Sequence, residues 1–513
     1  MLFKSIVSTA ILAAALCTDN VSAAKHGRFG QKARDSLNLA KRAAEQQKSS
    51  FKTPLDDFRH AWLPIAYRVD HLPDVPFDVG EMYSGLVPID KDDKSRALFF
   101  VFQPTLGDPV DEITIWLNGG PGCSSLEGFF QENGRFTWQP GTFAPVENPV
   151  EQPVGTGFAI GKPNATTQEE TAEDFVRFFK NFQELFGIKN FKIYVTGESY
   201  AGRYVPYISA AMLDRNDTEH YDLKGEYLLS RSQELIFEFR LMIKNRCPCI
   251  RPLFMSELEK LHDSCGYKDY LDEYLVFPPA GVQPQKSFNY TSDADCDVFD
   301  LISNEALVAN SCFDIYEINL MCPLAWDVLA MPTAFNYQPA GATVYFDRPD
   351  VKRAMHAPLN VTWSGCSSEN VYVGGDAGPE QEGDLSANPI EHVLPQVIEG
   401  TNRVLVSNGD YDMIILTNGT LLAIQNMTWN GQLGFQSAPA TPITIDLPDL
   451  AWGEVFEENG QEMLQSQGVM GVQHYERGLM WAETYQSGHM QPQYQPRVSY
   501  RHLQWLLGRV DKL

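Results

Sequence analysis

The chain has 513 residues, 43% hydrophobic and 21% charged. That is apolar enough for a large core and excludes a disordered chain. Its net charge of −26 excludes a protein built around phosphate contacts, which need a basic face. The charge is uneven: residues 1–52 hold nine Lys/Arg against three Asp/Glu, leaving −32 on residues 53–513. An acidic protein behind a basic leader reads as a soluble secreted or vacuolar product.

In chain order, Lys4 precedes an apolar run from Ile6 to Leu16, and Val21-Ser22-Ala23 is a cleavage-like triplet. Residues 1–23 therefore read as a signal peptide. The run is shorter than the roughly 18 apolar residues of a membrane span, and no later segment reaches that length. The C-terminus, Gly508 to Leu513, has no hydrophobic tail, so no lipid anchor is expected. Residues 24–52 are basic and Ala/Gln/Ser-rich; they read as a propeptide, with a plain N-terminal arm as the alternative.

From residue 53 onward the pattern alternates strand and helix. Ala97–Phe102 and Ile113–Leu117 are apolar strand runs, the second ending in the tight loop Asn118-Gly-Gly-Pro-Gly122. Residues 169–186 predict a helix with phenylalanines at helical spacing, stopped by Gly187. Lys192–Thr196 is a buried strand running into Gly197-Glu-Ser-Tyr-Ala-Gly202 and a further apolar helix through Met212. Strand, helix, strand, tight turn, helix is a parallel α/β arrangement. Residues from about 216 to 339 lack this rhythm and hold six of the eight cysteines beyond the leader. They read as an inserted helical cap with disulfides. The α/β pattern resumes at Arg348-Pro-Asp-Val, continues through the strand Arg403–Ser407, and closes with a helix from Val498 to Leu507.

Eight cysteines behind a signal peptide suggest disulfides. Beyond the leader, six Asn-X-Ser/Thr sequons stand at Asn164, Asn216, Asn289, Asn360, Asn418 and Asn426, so glycosylation is expected. Neither a histidine pair at ligand spacing nor a Cys-X-X-Cys is present, and neither metal nor cofactor is expected.

The chemistry starts at Ser199. A serine on a sharp turn between strand and helix has its hydroxyl exposed above the sheet, with the next backbone N–H aimed at a developing oxyanion. The plain alternative is an ordinary strand-to-helix turn. A serine nucleophile needs a base, and the base needs an orienting acid. His489 in Gly488-His-Met490 follows a strand. Asp412, in Gly409-Asp-Tyr-Asp412, ends one; Asp410 competes with it, and spacing does not choose. Ser, Asp, His is the chain order of α/β-hydrolases.

Trp116-Leu-Asn-Gly-Gly-Pro-Gly-Cys-Ser-Ser125, Gln152-Pro-Val-Gly-Thr-Gly157, Gly197-Glu-Ser-Tyr-Ala-Gly-Arg-Tyr204, Gly409-Asp-Tyr-Asp412 and Gly488-His-Met490 resemble the serine carboxypeptidase family. The match runs from about residue 60 to 510 and is closest to secreted fungal members. It implies an α/β-hydrolase fold, with a mostly parallel sheet flanked by helices and a helical, disulfide-containing cap, all within residues 53–513. It implies Ser199 as nucleophile, His489 as general base and Asp412 as the acid, with Gly120 and Tyr200 as oxyanion N–H donors. Asn118, Gly119, Glu132 and Glu198 match the family's site for the substrate's terminal carboxylate. On Glu132 alone, the residue-level reading would be a solvated loop acid. Two close carboxylic acids cannot both ionise cheaply, so one stays protonated and donates to the substrate's carboxylate. An acidic optimum follows. Trp116 and Met490 line the pocket or belong to the core; both readings need a buried apolar side chain. The resemblance further implies a Cys123–Cys366 pair and two cap disulfides among Cys265, Cys296, Cys312 and Cys322. Cys247 and Cys249, in Cys-Pro-Cys, have poor geometry for pairing with each other.

Two segments depart from the family pattern. Before Gln152-Pro-Val-Gly the family has an apolar strand; here Pro149-Val-Glu follows Glu147-Asn148 directly, and a central parallel strand is missing. After the nucleophile helix a strand ending in Gly-Asn is expected and not found; the stretch 226–254 is instead basic around Lys244–Arg251. Both regions, about 144–152 and 226–254, look deleted or mis-spliced. A transcript that reproduces both would refute that.

The expected function is a secreted acid carboxypeptidase acting through an acyl-enzyme on peptides with a free C-terminal carboxylate. An acyltransferase or esterase on the same scaffold is one alternative; a carboxylate clamp argues against a simple esterase. An inactive homologue, damaged at the two segments, is the other.

Overall fold

β1 (Tyr83–Pro88) and β2 (Ala97–Phe102) pair antiparallel, Tyr83 opposite Phe102 and Pro88 opposite Ala97. The computed structural model describes residues 64–105, 110–138, 145–147, 158–160, 164–229, 252–284, 296, 298–322, 326–329, 341–367, 371–373, 383–445 and 468–513. The expectations for the leader, the propeptide, the Gln152–Gly157 loop, Cys247, Cys249 and Asn289 lie outside these residues.

The strands that follow are β3 (Glu112–Leu117), the short antiparallel pair β4 (Phe136–Thr137) and β5 (Val146–Glu147), β6 (Lys192–Glu198), β7 (Asp222–Leu229) and β8 (Val404–Gly409). Next come the two-residue hairpin β9 (Thr428–Trp429) and β10 (Gln432–Leu433), then β11 (Thr441–Ile445), β12 (Gly468–Glu476) and β13 (Leu479–Thr484). One seven-stranded sheet has the order β11-β12-β13-β8-β7-β6-β3. Its run from β13 to β3 is parallel, and β11 and β12 are antiparallel.

The helical elements are α1 (Leu126–Gly128), continued by a π-helical turn through Phe129–Asn133; α2 (Gln168–Phe186); α3 (Ala201–Asp214); α4 (Pro252–Ser264); α5 (Tyr267–Tyr274); and α6 (Val298–Ala309). α7 (Pro349–Ala354), α8 (Val393–Thr401), α9 (Thr417–Gln425), α10 (Gln491–Tyr494) and α11 (Pro496–Leu506) complete them.

Strand residues alternate between two buried faces, as helices on both sides of a parallel sheet require. Ile193, Val195, Leu228, Val404 and Val406 pack with the α2, α3 and α8 side. Their neighbours Tyr194, Tyr227 and Leu405 pack with Val498, Leu503, Trp505 and Leu506 of α11. α2 forms as its spacing predicts. Phe175, Phe178, Phe179, Phe182 and Phe186 are buried on one side, Thr167 Oγ1 accepts the Glu170 N–H, and Gly187 ends the helix at φ 63°. The cap helices α4, α5 and α6 share a smaller core of Leu258, Tyr267, Val298, Ile302 and Phe313, which extends onto Met413 and Leu416 below. Disulfides join Cys265 to Cys296 and Cys312 to Cys322 there, and Cys123 to Cys366 elsewhere.

Two expectations are corrected. A strand does follow the nucleophile helix: β7 lies between β6 and β8. It ends in Leu228-Leu229 rather than Gly-Asn, so the motif was absent but the strand was not. Sheet membership therefore runs through Leu229, and the helical insertion starts later than residue 216. On the other side, β3 ends the sheet, and among the described residues no strand lies between it and β2. Phe99 and Phe100 of β2, Ile113 to Leu117 of β3, and Phe175, Phe178, Phe179 and Phe182 of α2 line an apolar cavity between them. The chain touches β2 again at Ile160, bridged to Ala97.

Candidate active site

β6 delivers Glu198 and Ser199 to the end of the sheet. Ser199 has φ 62°, a left-handed conformation that a non-glycine residue holds only when the surroundings impose it. Its N–H donates to Leu229 O at 2.9 Å, and Gly202 N–H donates to its carbonyl at 2.8 Å. The turn is tight: a Cβ on Gly197 would lie 2.6 Å from Ala201 Cβ and 2.7 Å from Leu117 O. Alanine at the fifth position of the motif is therefore already in contact with the strand.

The loop after β3 presses on this turn. A Cβ on Gly119 would stand 2.5 Å from Tyr200 N and 2.7 Å from Ser199 Cβ, so only glycine fits. Gly120 follows at φ 109°, with a cis bond to Pro121. Cys123 ties this loop to Cys366, and Ser124 N–H donates to Gly365 O at 2.7 Å.

His489 and Asp412 arrive from the ends of β13 and β8. His489 Nδ1 and Asp412 Oδ2 are 2.7 Å apart, and both residues are about 2% exposed. Asp412 Oδ1 accepts the N–H groups of Ile414 and Ile415 at 2.9 and 3.0 Å, which aims the carboxylate. Asp410 Oδ1 instead accepts the Ser487 N–H at 3.3 Å. The geometry thus separates the two acids that spacing left open. A Cβ on Gly409 would strike Gly488 O at 2.3 Å, so the two strand-end loops are in direct contact.

A second cluster adjoins the first. Asn118 Oδ1 accepts Trp116 Nε1–H at 2.7 Å and Gly128 N–H at 3.3 Å, and Asn118 Nδ2 donates to Glu198 Oε1 at 3.5 Å. Glu132 and Glu198 are 3% and 4% exposed. Burial pushes Glu132 up to about 7, although a hydrogen bond with Glu198 and the proximity of His489 pull it down. Burial, then the charge of Glu132, pushes Glu198 well above the ordinary carboxylate range. Two carboxylates offer acceptors only, so a hydrogen bond between them requires a shared proton. Trp116 is buried and orients Asn118; Met490 is half-buried at the start of α10.

Four residues here escaped the sequence reading. Asp384 is fully buried and accepts Tyr200 OH at 2.8 Å, Gln168 Nε2 at 2.7 Å, Arg203 Nε at 3.2 Å, and the Ser386 N–H and hydroxyl. Burial would raise its pKa, but these bonds outweigh it and hold the carboxyl below the ordinary range. Tyr316, from the cap, sets its ring 5.2 Å from the His489 ring and its carbonyl accepts the His489 N–H at 2.8 Å. Its neighbour Glu317 is pushed up to about 8 by burial, against the pull of the Asn319 N–H. Glu127 is a buried acid on α1. No local motif marks Asp384, Tyr316 or Glu317. Glu127 stood in plain view inside the Gly-rich motif's continuation.

Fold and site define an α/β-hydrolase in which a serine turn and a His/Asp pair follow strands of one sheet, beside an acid pair. The chain belongs to the serine carboxypeptidase family, whose model matches residues 73–509. It is 66% identical to serine-type carboxypeptidase F of Aspergillus niger over all of both chains. That alignment runs over 536 positions, more than the 513 residues present, so the relative carries residues that this chain lacks. It is 41% identical to a probable serine carboxypeptidase of Arthroderma benhamiae, over 87% of each chain. Among solved structures, Kex1(delta)p, a prohormone-processing carboxypeptidase from Saccharomyces cerevisiae, superposes with a TM-score of 0.61 at 21% identity. It covers 87% of this chain and 96% of that one, and shows the fold. The protein is a serine-type carboxypeptidase acting on peptides.

Proposed function

We propose that Ser199, His489 and Asp412 are the catalytic triad, and that Asn118, Gly119, Glu132 and Glu198 hold the substrate's free C-terminal carboxylate. The observation that carries this reading is the buried acid pair Glu132/Glu198, with Asn118 turned toward Glu198, the residue that immediately precedes Ser199. A buried pair sharing a proton has one O–H to give, and a carboxylate is the partner that best accepts it.

The steps follow. His489 takes the Ser199 hydroxyl proton as the oxygen attacks the last peptide carbonyl; Asp412 holds the imidazole by its other nitrogen and stabilises the resulting cation. The N–H groups of Gly120 and Tyr200 receive the oxyanion. His489 then passes its proton to the leaving nitrogen, and the terminal amino acid departs, leaving an ester on Ser199. Water, deprotonated by the same histidine, cleaves the ester. The clamp chooses the bond: it fixes the free carboxylate one residue beyond the serine, so the enzyme trims from the end. Protonation of the acid pair sets an acidic optimum.

The protein acts outside the cytoplasm. Supporting this are the signal-like residues 1–23, and no described helix is long and apolar enough to cross a membrane. Extracellular release is the favoured destination and a vacuole the alternative. Asn164, Asn216 and Asn360 are exposed, whereas Asn418 and Asn426 are half-buried. The exposed three are the favoured glycan sites.

The test is release of the terminal amino acid from an N-blocked dipeptide at mildly acidic pH, against its C-terminal amide and against Ser199→Ala. Release from the free acid, strongly reduced for the amide and lost in the variant, is expected. Equal turnover of acid and amide would remove the clamp from the reading. Fluorophosphonate labelling of wild type but not Ser199→Ala checks the nucleophile independently.

A further inference from the structure

We propose that Glu317, carried by the cap, is a positioning residue for the general base: with Asp410 and the Tyr316 carbonyl it grips the loop that bears His489. This rests on the reading of His489 as the base above, and names what holds that base in place.

The loop has little support of its own. β13 ends at Thr484 and α10 starts at Gln491, so residues 485–490 lie outside sheet and helix. Ser487, Gly488 and His489 are buried, and their N–H groups must find acceptors elsewhere. The Ser487 N–H donates to Asp410 Oδ1 at 3.3 Å, and the His489 N–H to Tyr316 O at 2.8 Å. Between them, the Gly488 N–H donates to the Glu317 carboxyl. The approach is close: a Cβ on Gly488 would stand 2.6 Å from Glu317 Oε2 and 2.3 Å from Tyr316 O. The same cap segment, residues 314–318, also brackets the acid. Ile318 N–H donates to Tyr411 O at 3.2 Å and Met413 N–H to Ile315 O at 2.9 Å, one on either side of Asp412. Cys312–Cys322 closes a loop around the segment. Most of these bonds use backbone atoms that any sequence supplies. Glu317 and Asp410 are the side chains in the grip, so it is there that the sequence can tune it.

Glu317 is costly where it stands. It is 7% exposed, and no ion pair holds it among the described residues. The groups that face it are Asp314 on its own segment, Asp410 from the loop after β8, and Tyr494 of α10. Burial first, and then the charges of Asp410 and Asp314, push its carboxyl up to about 8, against the pull of the Asn319 and Gly488 N–H groups. At acidic pH it is therefore a neutral acid, which accepts a hydrogen bond without adding charge beside Asp410. The sign follows from the raised value. Its contribution to stability is fully present below 4.5 and is lost as pH rises through about 8. Above that, its charge adds to that of Asp410, and the acceptors of neighbouring N–H groups repel each other. The grip on His489 loosens there.

The experiment measures kcat and KM for an N-blocked dipeptide, and the rate of fluorophosphonate labelling, from about pH 5 to 9. Labelling needs Ser199 and His489 but no carboxylate clamp. Wild type is compared with Glu317→Gln and Glu317→Leu, and thermal melts confirm that each is folded. Glu317→Leu is expected to lower kcat and labelling by about tenfold at pH 5 while KM stays within about twofold, as misplacement of a catalytic group predicts. Glu317→Gln keeps an acceptor, so it should recover most of that loss. It cannot ionise, so the fall in rate near pH 8 seen in wild type should be missing. A folded Glu317→Leu with wild-type kcat, or a Glu317→Gln that falls near pH 8 as wild type does, overturns the positioning role and leaves the triad intact. If Glu317→Leu does not fold, the pH profile of Glu317→Gln decides alone. Wild type that takes no label overturns the triad reading, and the positioning role with it.

Discussion

Trp116 Nε1 donates to Asn118 Oδ1 at 2.7 Å, and that bond decides which end of the Asn118 amide faces the acid pair. With its oxygen engaged, Asn118 presents Nδ2 to Glu198 and, in the clamp proposed above, to an incoming carboxylate. Trp116→Phe keeps an aromatic ring but removes the indole N–H, freeing the amide to turn. The loss of one buried hydrogen bond, about 1 kcal/mol, predicts a KM roughly fivefold higher for free-acid substrates. Esters that lack the carboxylate should be indifferent. Steady-state kinetics on both substrate types check this, and an equal rise for both would argue against an orienting role.

The acid pair predicts how binding and stability vary with pH. Glu132 is raised from 4.5 to about 7 in the fold, so the folded state holds a proton that the unfolded chain has lost between those values. That stability is fully present below 4.5 and is lost as pH rises through about 7. KM for free acids should climb over the same upper range as the clamp becomes anionic. Glu132→Gln should flatten both curves. Melting temperature and KM measured from pH 4 to 8 test the prediction; a variant as pH-sensitive as wild type would contradict it.

Asp384 joins the residue after the nucleophile to a segment nearly two hundred positions away. Asp384→Ala takes the acceptor from Tyr200 OH, Arg203 Nε and Gln168 Nε2 at once, and removing one member of a buried charged network costs about 3 kcal/mol. A lower melting temperature is expected, together with a fall in kcat as Tyr200 loses its anchor. Asp384→Asn, which retains an acceptor, should fall between. Loss of stability with unchanged kcat in the folded fraction would confine Asp384 to a structural role.

Much of this was legible before any coordinates. Periodicity placed α2 and the strand at Lys192, because phenylalanines every three or four residues and a continuous apolar run have few other uses. The Gly-rich loop was legible because backbone contact at Gly119 admits no side chain. The order Ser, Asp, His was readable too; spacing did not say which aspartate, and only the resemblance to the family's Gly-Asp-X-Asp motif chose Asp412 over Asp410. β7 was missed because the expectation relied on a terminal Gly-Asn rather than on Tyr227-Leu-Leu229 itself. Asp384 and Tyr316 were beyond reach for another reason. Their partners are contributed by segments far away in the chain, and neither residue lies in a pattern with a period.

A clamp that reads a free carboxylate is renewed by its own turnover. Each cleavage releases one amino acid and exposes another terminal carboxylate, so the shortened peptide is again a substrate. The enzyme therefore does not cut a peptide once; it shortens it as a ladder. The pace of each rung is set by whichever side chain is last, so sequence becomes a series of waiting times rather than a single site.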